Sequence, residues 1–243
     1  MSLFPNRHSV RNRLLVSMSS SDFDLVASRL DPVELPMGGI VEEAGEHVDH
    51  VVFVESGIGS RIVVGNGNAQ TEGGHIGREG MTGRSVILAS PIASERIQMQ
   101  VAGKGLRIQS DLLLDAMSES DTLRRLMLRY VQASQVQSEH TLLAATSYSV
   151  EQRLARWLLM YNDRVDGDQF PVTHELLAKM LNVRRAGITT GMHMLQGNHA
   201  IRSTRGIVQV LNRDILIGMA GGSYGIPERD YEIREVPGLK KKP

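Results

Sequence analysis

Residues 118–146 read SESDTLRRLMLRYVQASQVQSEHTLLAAT and contain neither glycine nor proline. Their apolar and small residues recur in alternating steps of three and four, which predicts one long helix with a heptad-like stripe. A helix of this length cannot bury its stripe against a small sheet alone, so we expect it to pair with a second copy of itself. A helix packed wholly within one chain is the alternative. The residues expected at the homodimer interface are Leu123, Leu126, Tyr130, Ala133, Gln137 and His140.

The chain before this helix, residues 33–108, has a different pattern. Short alternating or apolar runs such as HVVFVES, SRIVVGN and RIQMQVA are separated by turns that contain glycine. Many short strands with turn signals at roughly 8–12-residue spacing predict an antiparallel sandwich or barrel. Residues 13–30 precede these strands with a loose helical period, which predicts short helices. The fold class is therefore α+β.

The chain after the long helix predicts a compact third region. Ser149 and Gln152 have the spacing of a capping box at the start of a helix, and DGDQFP ends that helix. VTHELLAKML predicts a second helix with Thr173 as its N-cap, and Asn182 suits a left-handed turn. NVRRAGITTGMHMLQ predicts a third helix, and two strands follow around Arg205–Gly206. This order is that of a winged helix-turn-helix.

Composition excludes several classes of site. The chain has no cysteine, which excludes disulfides, thiolate metal sites and cysteine-ligated iron–sulfur clusters and suits a reducing cytosol. No apolar run approaches the roughly 18 residues of a membrane span, and the N-terminus lacks the apolar core of a signal peptide. We find no Ser-His-Asp order, paired-carboxylate motif or phosphate loop. We therefore expect a cytoplasmic protein that is not an enzyme.

Positive charge gathers in the third region, although the formal net charge of the chain is zero. Residues 176–213 contain six basic residues and no Asp or Glu, which is the electrostatic pattern of a nucleic-acid site. A solvated basic surface is the alternative interpretation. The six residues are Lys179, Arg184, Arg185, Arg202, Arg205 and Arg213.

The third helix of this region has the features of a helix that enters the major groove. Arg184 and Arg185 at its start offer long donors for guanine or phosphate, and small side chains follow where the backbone would approach the bases. Gly187 and Gly191 would alternatively permit close packing against a neighbouring helix. Arg202 and Arg205, on the predicted wing, suit phosphate better than bases. Further along the helix, the candidate contacts are Thr189, Thr190 and His193.

At this point the chain resembles the Crp/Fnr family, the bacterial transcription regulators related to the cyclic AMP receptor protein, over about residues 13–217. The segment from SVEQRLARW to RGIVQV is similar to the DNA-binding domain of the family. The start of its sensory β-roll, a cyclic-nucleotide-binding-like jelly roll, is similar to the segment LPMGGIVEEAGEHVDHVVFVESG. The resemblance implies a homodimer that binds a two-fold symmetric DNA site and contacts or blocks RNA polymerase. The implied organisation is a β-roll (1–117), a dimerisation helix (118–147) and a winged helix-turn-helix (148–218). The glycine- and proline-rich composition of residues 219–243 predicts a flexible tail.

The resemblance also assigns residues of the DNA-binding domain. It implies that Thr173 and His174 touch phosphate and that Arg185 contacts a base. Ala186 stands where the family often has a glutamate, and Thr190 where it has a base-reading arginine. The chain should therefore not read the operator sequence that is usual for the family.

The sensory part departs further from the family. Cyclic AMP binders use a Gly-Glu pair for the ribose and a later Arg-Ser pair for the cyclic phosphate, whereas GREG places Arg78 where the glutamate would be. In our alignment Ala93 and Ser94 stand opposite the Arg-Ser pair, with Arg96 as a possible substitute. We expect no cyclic AMP binding of the usual kind, no cofactor and no metal. A cyclic-nucleotide-responsive effector protein, or a metal or haem sensor using His47, His50 and His75, remains the alternative. The candidate effector residues are Gly77, Arg78, Glu79, Gly80, Ser94 and Arg96.

Overall fold

The computed structural model describes residue 7 and residues 9–233 of the 243-residue chain. No helix within these residues is long and apolar enough to cross a membrane. The N-terminal elements are α1 (Arg13–Ser17), α2 (Ser20–Ala27), β1 (Asp31–Leu35), β2 (Ile40–Glu42), β3 (His50–Val54), β4 (Ile58–Val64), β5 (Gln70–Ile76), α3 (Arg84–Ile87), β6 (Arg96–Val101) and β7 (Gly103–Gln109). The later elements are α4 (Ser110–Glu119), α5 (Asp121–Ser147), α6 (Val150–Asn162), β8 (Gln169–Pro171), α7 (His174–Met180), α8 (Arg185–Gly197), β9 (Ile201–Thr204), β10 (Ile207–Val210), α9 (Arg213–Met219) and α10 (Ile226–Ile233).

The seven N-terminal strands form two antiparallel sheets, as the sequence predicted for residues 33–108. One sheet has the order β1–β7–β3 and the other has the order β2–β6–β4–β5. The turn between β3 and β4 needs glycine, because Gly57 has a φ of +87° and a Cβ there would lie 2.6 Å from the carbonyl oxygen of Val101. We call these two sheets the β-roll. The sheet β1–β7–β3 and the helices packed on it form the first hydrophobic core, which includes Val51 and Phe53 of β3 and Ile108 of β7.

The long helix α5 packs along this core. It begins at Asp121 rather than at Ser118, because the Ser120 hydroxyl accepts a hydrogen bond from the Leu123 N–H (3.2 Å) and separates α5 from α4. In its middle, the buried Tyr130 hydroxyl accepts from the Met81 N–H (3.0 Å) and donates to the Met81 carbonyl (2.6 Å). One face of α5 is therefore committed to the β-roll of its own chain.

The predicted dimer seam lies largely on this committed face, and that prediction is wrong. Four of its six residues are each at most 1% exposed within a single chain: Leu123, Tyr130, Ala133 and Gln137. The other two, Leu126 and His140, are partly buried. The three- and four-residue spacing identified a real apolar stripe. Spacing alone does not tell which surface covers a stripe, and here the β-roll covers it.

The C-terminal elements form the winged helix-turn-helix that the sequence predicted. The capping box at Ser149 is confirmed: its hydroxyl accepts from the Gln152 N–H (3.3 Å), and the Gln152 side chain accepts from the Ser149 N–H (2.9 Å). Strands β8, β10 and β9 form a three-stranded antiparallel sheet beside the helices. Helix α6 lies at the centre, where it packs against α8 and α9.

Helix α6 also packs against the β-roll. Trp157 and Tyr161 stack with ring centroids 4.5 Å apart and share a buried cluster with Ile58 and Ile62 of β4. The Trp157 indole N–H donates to Glu72 of β5 at 2.5 Å. The winged helix-turn-helix is thus docked on the β-roll of the same chain.

The segment after α9 does not form the flexible tail predicted from residue 219. Residues 226–233 form α10, which packs against α5, and Tyr231 is only 2% exposed in the first hydrophobic core. The prediction is therefore wrong for residues 219–233, because a glycine- and proline-rich composition hid a short helix with a buried aromatic ring. Residues 234–243 lie outside the described residues.

Candidate nucleic-acid interface

The turn between α7 and α8 sets the angle of the predicted recognition helix. The Thr173 hydroxyl caps α7 by accepting from the Leu176 N–H (3.1 Å). Asn182 follows α7 with a φ of +50°, the left-handed conformation that the sequence predicted. Arg184 then adopts an extended conformation as the N-cap of α8, so that Arg185 is its first helical residue. The start of α8 therefore projects its two arginines from the N-terminal end of the helix.

One face of α8 packs against α6, and this contact explains one of its two glycines. Ile188, Met192 and Leu195 are buried on this face. A Cβ on Gly191 would lie 3.0 Å from the Leu154 side chain, so the helices approach closely because residue 191 is glycine. Gly187 is different, because a Cβ there would make only ordinary contact with Val150 at 3.7 Å. Close packing thus accounts for Gly191 and not for Gly187.

The opposite face of α8 is exposed and has small side chains. Ala186, Thr190 and His193 follow each other along this face at steps of four and three residues, and Arg185 stands beside its start. A slim surface with a long donor at the N-terminal end is the form that fits the major groove. The structure thus provides the thin outer surface that the sequence predicted.

Thr189 and His174 form the flank of this surface. The Thr189 hydroxyl donates to the Arg185 carbonyl (3.2 Å) and also lies 3.2 Å from the His174 ring nitrogen Nδ1. Both residues are partly buried. Their contact ties the first turn of α7 to α8, so they position the helix as well as bordering its outer face.

The wing is a tight β-hairpin. Strands β9 and β10 pair directly, with Ile207 opposite Thr204, so that Arg205 and Gly206 form the two-residue turn. Their φ values are +46° and +80°, which is the pattern of a type I′ turn. Arg205 and Arg202 are exposed on this hairpin. The turn therefore places the positive charge of Arg205 at its tip, although a non-glycine residue with positive φ strains the backbone there.

A groove of about 440 Å³ separates the wing from the recognition helix. Five of the predicted DNA contacts line it, whereas Arg184, Thr189, Thr190 and Arg202 lie outside its lining. Arg213, although part of the predicted basic cluster, pairs instead with Asp163 at 2.5 Å inside the domain. The five predicted contacts in the groove are Thr173, His174, Arg185, His193 and Arg205.

The predicted effector residues do not form one site. Arg78 pairs with Asp166 (2.5 Å), and the buried Glu79 pairs with the buried Arg164 (2.7 Å), so both face the C-terminal domain. Arg96 lies elsewhere and pairs with Glu43 at 2.9 Å. Ser94 is exposed in the loop before β6, while Gly77 and Gly80 make room for the side chains of Arg164 and Tyr130. The structure thus separates Arg78 and Glu79 from Arg96 and does not bring the six residues together.

An Arg-Ser pair earlier in the chain, Arg84 and Ser85, is not among the predicted residues. Arg84 begins α3, directly after Gly83 in a left-handed conformation, in the interior between the β-roll and α5. Its guanidinium binds Glu95 (2.8 Å), as does that of the fully buried Arg61 (3.0 Å). In the sequence, this pair is marked by the letters GRS, which follow shortly after GREG.

The buried arginines connect the β-roll to α5. Arg61 donates to the Ser134 carbonyl (3.1 Å) and to the Ser138 hydroxyl (2.9 Å), both on α5. The two guanidinium groups lower the pKa of Glu95 despite the opposing effect of its burial, which is the largest single influence on it. Glu95 is therefore held as a carboxylate, the counter-ion of both arginines.

The described part of the chain holds no group of three or more His, Asp or Glu side chains that could bind a metal ion. His47 instead pairs with Asp49 (2.8 Å) on the surface, whereas His75 is buried against Trp157.

Comparisons with known proteins bear on this geometry. Residues 152–219 match the family model of the Crp-like helix-turn-helix domain. The C-terminal domain is a Crp-like helix-turn-helix. The match spans α6, the α7–α8 pair, the wing and α9, which are the elements that build the groove and its arginines. A comparison with curated protein sequences gives no match.

Solved structures show that most of the chain shares the fold of Crp/Fnr proteins. A Crp/Fnr-family protein from Eubacterium rectale is 16% identical with a TM-score of 0.68, covering 86% of this chain and 98% of its own. FixK2 from Bradyrhizobium japonicum is 11% identical with a TM-score of 0.65, covering 78% of this chain and 96% of its own. A CRP-family transcriptional regulator from Thermus thermophilus is 15% identical with a TM-score of 0.64, covering 78% of this chain and 97% of its own. The likeness to these structures shows the fold, and the family match assigns a Crp-like helix-turn-helix to residues 152–219.

Proposed function

We propose that this protein is a transcription regulator, and that it acts in the cytoplasm as a homodimer that reads a two-fold symmetric DNA site with α8 and grips the flanking backbone with its wing. The observation that carries the proposal is the groove between α8 and the wing, where Arg185 and Arg205 stand on opposite sides. Arg185 is at the base-reading end of the helix, and Arg205 is at the tip of the hairpin. On its site, the dimer would contact RNA polymerase or block it.

The two arginines should affect DNA binding differently. We expect Arg185→Ala to weaken binding to the selected site by roughly 1–3 kcal/mol and to relax the base preference at one position, because a bidentate base contact is lost. Arg205→Asn should weaken binding to all sequences similarly and reduce the dependence on salt, because a phosphate contact is lost. Asparagine replaces Arg205 because it tolerates the left-handed conformation there.

The measurement is selection of bound fragments from random DNA, followed by titration of each variant at several salt concentrations. Arg107→Ala, an exposed change on β7 far from the groove, is the matched control and should leave the affinity unchanged. If both groove variants lost affinity equally on every sequence, base reading by Arg185 would be refuted.

The homodimer is supported by the face of α5 that the β-roll leaves uncovered. Leu128, Leu142 and Leu143 are 43%, 67% and 45% exposed on this face. Leu128, Gln132, Gln135, Glu139 and Leu142 follow each other in steps of four and three, the spacing of a helix seam. Two copies of this face, related by a two-fold axis, would cover the leucines and present two recognition helices to one duplex.

A charge on this face should prevent dimerisation. We expect Leu142→Glu to convert the dimer to a monomer, because two added like charges would then meet where two leucines would be buried. The variant should also bind DNA more weakly through loss of the second half-site. Analytical ultracentrifugation at several concentrations measures the mass. Met37→Glu, at a β-roll position that is 69% exposed, is the control and should remain dimeric. A Leu142→Glu variant with wild-type mass would place the interface elsewhere.

We further propose that cyclic AMP is not the effector and that no cofactor is needed at the β-roll. The support is Glu95, whose carboxylate already neutralises Arg61 and Arg84 in the interior. A second anion there would have to displace a buried carboxylate from two guanidinium groups, which costs several kcal/mol. An effector would therefore act at another place on the β-roll.

A further inference from the structure

The segment after the Crp-like domain contacts both the C-terminal domain and α5. We call residues 220–233 the strap. The match to the Crp-like domain ends at residue 219, so the strap is an addition to that domain. It leaves the end of α9, crosses α6 and ends in α10 against α5. Three of its glycines, Gly221, Gly222 and Gly225, have positive φ and turn the chain back towards the β-roll.

The first half of the strap is bonded to the C-terminal domain. The Arg156 side chain of α6 donates to the Ser223 carbonyl (2.9 Å), and the Tyr224 hydroxyl donates to Asp163 (2.7 Å). Arg213 donates to the same hydroxyl (2.6 Å), and its guanidinium lies 5.5 Å from the centre of the Tyr224 ring. These contacts attach the strap firmly to α6 and α9.

The second half of the strap is anchored in the other half of the molecule. Tyr231 is 2% exposed and belongs to the buried cluster that includes Tyr130 and Met127 of α5, and Met81 of the β-roll. The C-terminal domain is joined to α5 covalently at Tyr148, between α5 and α6, and the strap adds a non-covalent contact with α5. The Trp157–Glu72 bond and the Glu79–Arg164 pair hold the domain to the β-roll rather than to α5. A rotation of the domain about Tyr148 would have to pull the Tyr231 ring out of the core. Exposing a buried ring of this size costs several kcal/mol.

We propose that the strap holds the C-terminal domain in one orientation relative to α5, and thereby sets the half-site spacing that the dimer accepts. This inference rests on the proposed function. One base pair of added spacing moves a half-site by about 3.4 Å and turns it by about 34°. A restrained pair of domains cannot follow that displacement, whereas a released pair can. The strap therefore determines spacing specificity without touching DNA.

The test uses Tyr231→Ala, which removes the anchor, and Tyr224→Phe, which removes hydrogen bonds without leaving a cavity. Arg229→Ala, an exposed change on α10, is the matched control. Each full-length variant is titrated with duplexes whose half-sites are one or two base pairs closer or farther apart. We expect the wild type and Arg229→Ala to lose at least about tenfold in affinity per base pair of displacement. Tyr231→Ala should lose less than about threefold, with Tyr224→Phe in between.

A second readout does not depend on DNA. Trp157 is the only tryptophan, and it is buried where α6 docks on the β-roll. Acrylamide quenching of its fluorescence should rise severalfold in Tyr231→Ala, and less in Tyr224→Phe, while the helix content measured by circular dichroism stays the same. Arg229→Ala should be quenched like the wild type.

These two readouts separate the strap from the proposed function. If quenching and spacing preference stayed at wild-type values in both tyrosine variants, the strap would restrain nothing and the inference would fail. If the wild type ignored every duplex, the proposed function would fail, and the spacing role of the strap with it. The quenching result would then still decide whether the strap restrains the domain. If Tyr231→Ala did not fold, Tyr224→Phe would decide in its place.

Discussion

Replacing Glu79 with alanine lowers the free energy of unfolding by about 3–5 kcal/mol, because it leaves a buried guanidinium without its counter-ion. Glu79 and Arg164 face each other at 2.7 Å with side chains that are 4% and 0% exposed. Glu79 belongs to the β-roll and Arg164 follows α6, so the pair joins the two halves of the molecule. Arg164 also donates to the Met160 carbonyl (2.7 Å), but this bond does not neutralise its charge.

Urea denaturation of the purified variants measures this effect. The double variant Glu79→Leu with Arg164→Met should recover most of the lost stability, because replacing both members of a buried pair by apolar residues is close to neutral. Asp166→Ala is the control for an exposed pair: its carboxylate is 65% exposed beside Arg11 and Arg78, and its loss should cost less than about 1 kcal/mol. A Glu79→Ala variant as stable as Asp166→Ala would show that water reaches Arg164 and that the pair is not structural.

Replacing Glu42 with glutamine removes a pH dependence of stability that the wild type shows between about pH 4.5 and pH 7. Burial raises the pKa of Glu42 to about 7 from a usual value of 4.5, and the neighbouring Glu95 carboxylate raises it further, against the Gly83 N–H, which donates to Glu42 at 2.7 Å. The folded state thus holds a proton that the unfolded state has released. The stability contributed by the protonated form is complete below pH 4.5 and is lost as the pH rises to about 7.

The size of the effect follows from the shift. The shift in the pKa of Glu42 corresponds to a change of about 3 kcal/mol in the free energy of unfolding between pH 4.5 and pH 7. We expect the difference in unfolding free energy between Glu42→Gln and the wild type to grow in favour of the variant from pH 4.5 to pH 7, and to stay constant at higher pH. Urea denaturation at five pH values measures it. A difference that did not change with pH would assign the titration to another group.

The sequence predicted the C-terminal domain closely because local chemistry determines its landmarks. Ser149 with Gln152 and Thr173 mark helix starts whose caps depend on residues within one turn. Asn182 and Arg205–Gly206 mark turns whose backbone angles depend on the residues themselves. The same landmarks bring Arg185 and Arg205 to opposite sides of one groove. The candidate DNA site was therefore readable from the sequence.

The α5 seam shows the opposite case. Leu123, Tyr130 and Ala133 have the spacing of a helix stripe in either a dimer or a single chain, and only the position of the β-roll decides between them. The grouping of effector residues failed for a related reason. Residues near each other in the sequence, Arg78 and Glu79, bind different partners in the C-terminal domain, at Asp166 and Arg164. No spacing rule reports a contact between residues more than eighty positions apart.

By itself, the sequence determined the order of strands and helices, the caps and turns, and the basic surface of α8 and the wing. Each of these depends on residues within one or two turns of each other. Only the tertiary structure decided which face of α5 is covered, where the buried arginines find their carboxylates, and that Tyr231 returns to the core. Those outcomes depend on which distant surfaces meet, and the free energy of burial is the same function of area whichever partner provides it.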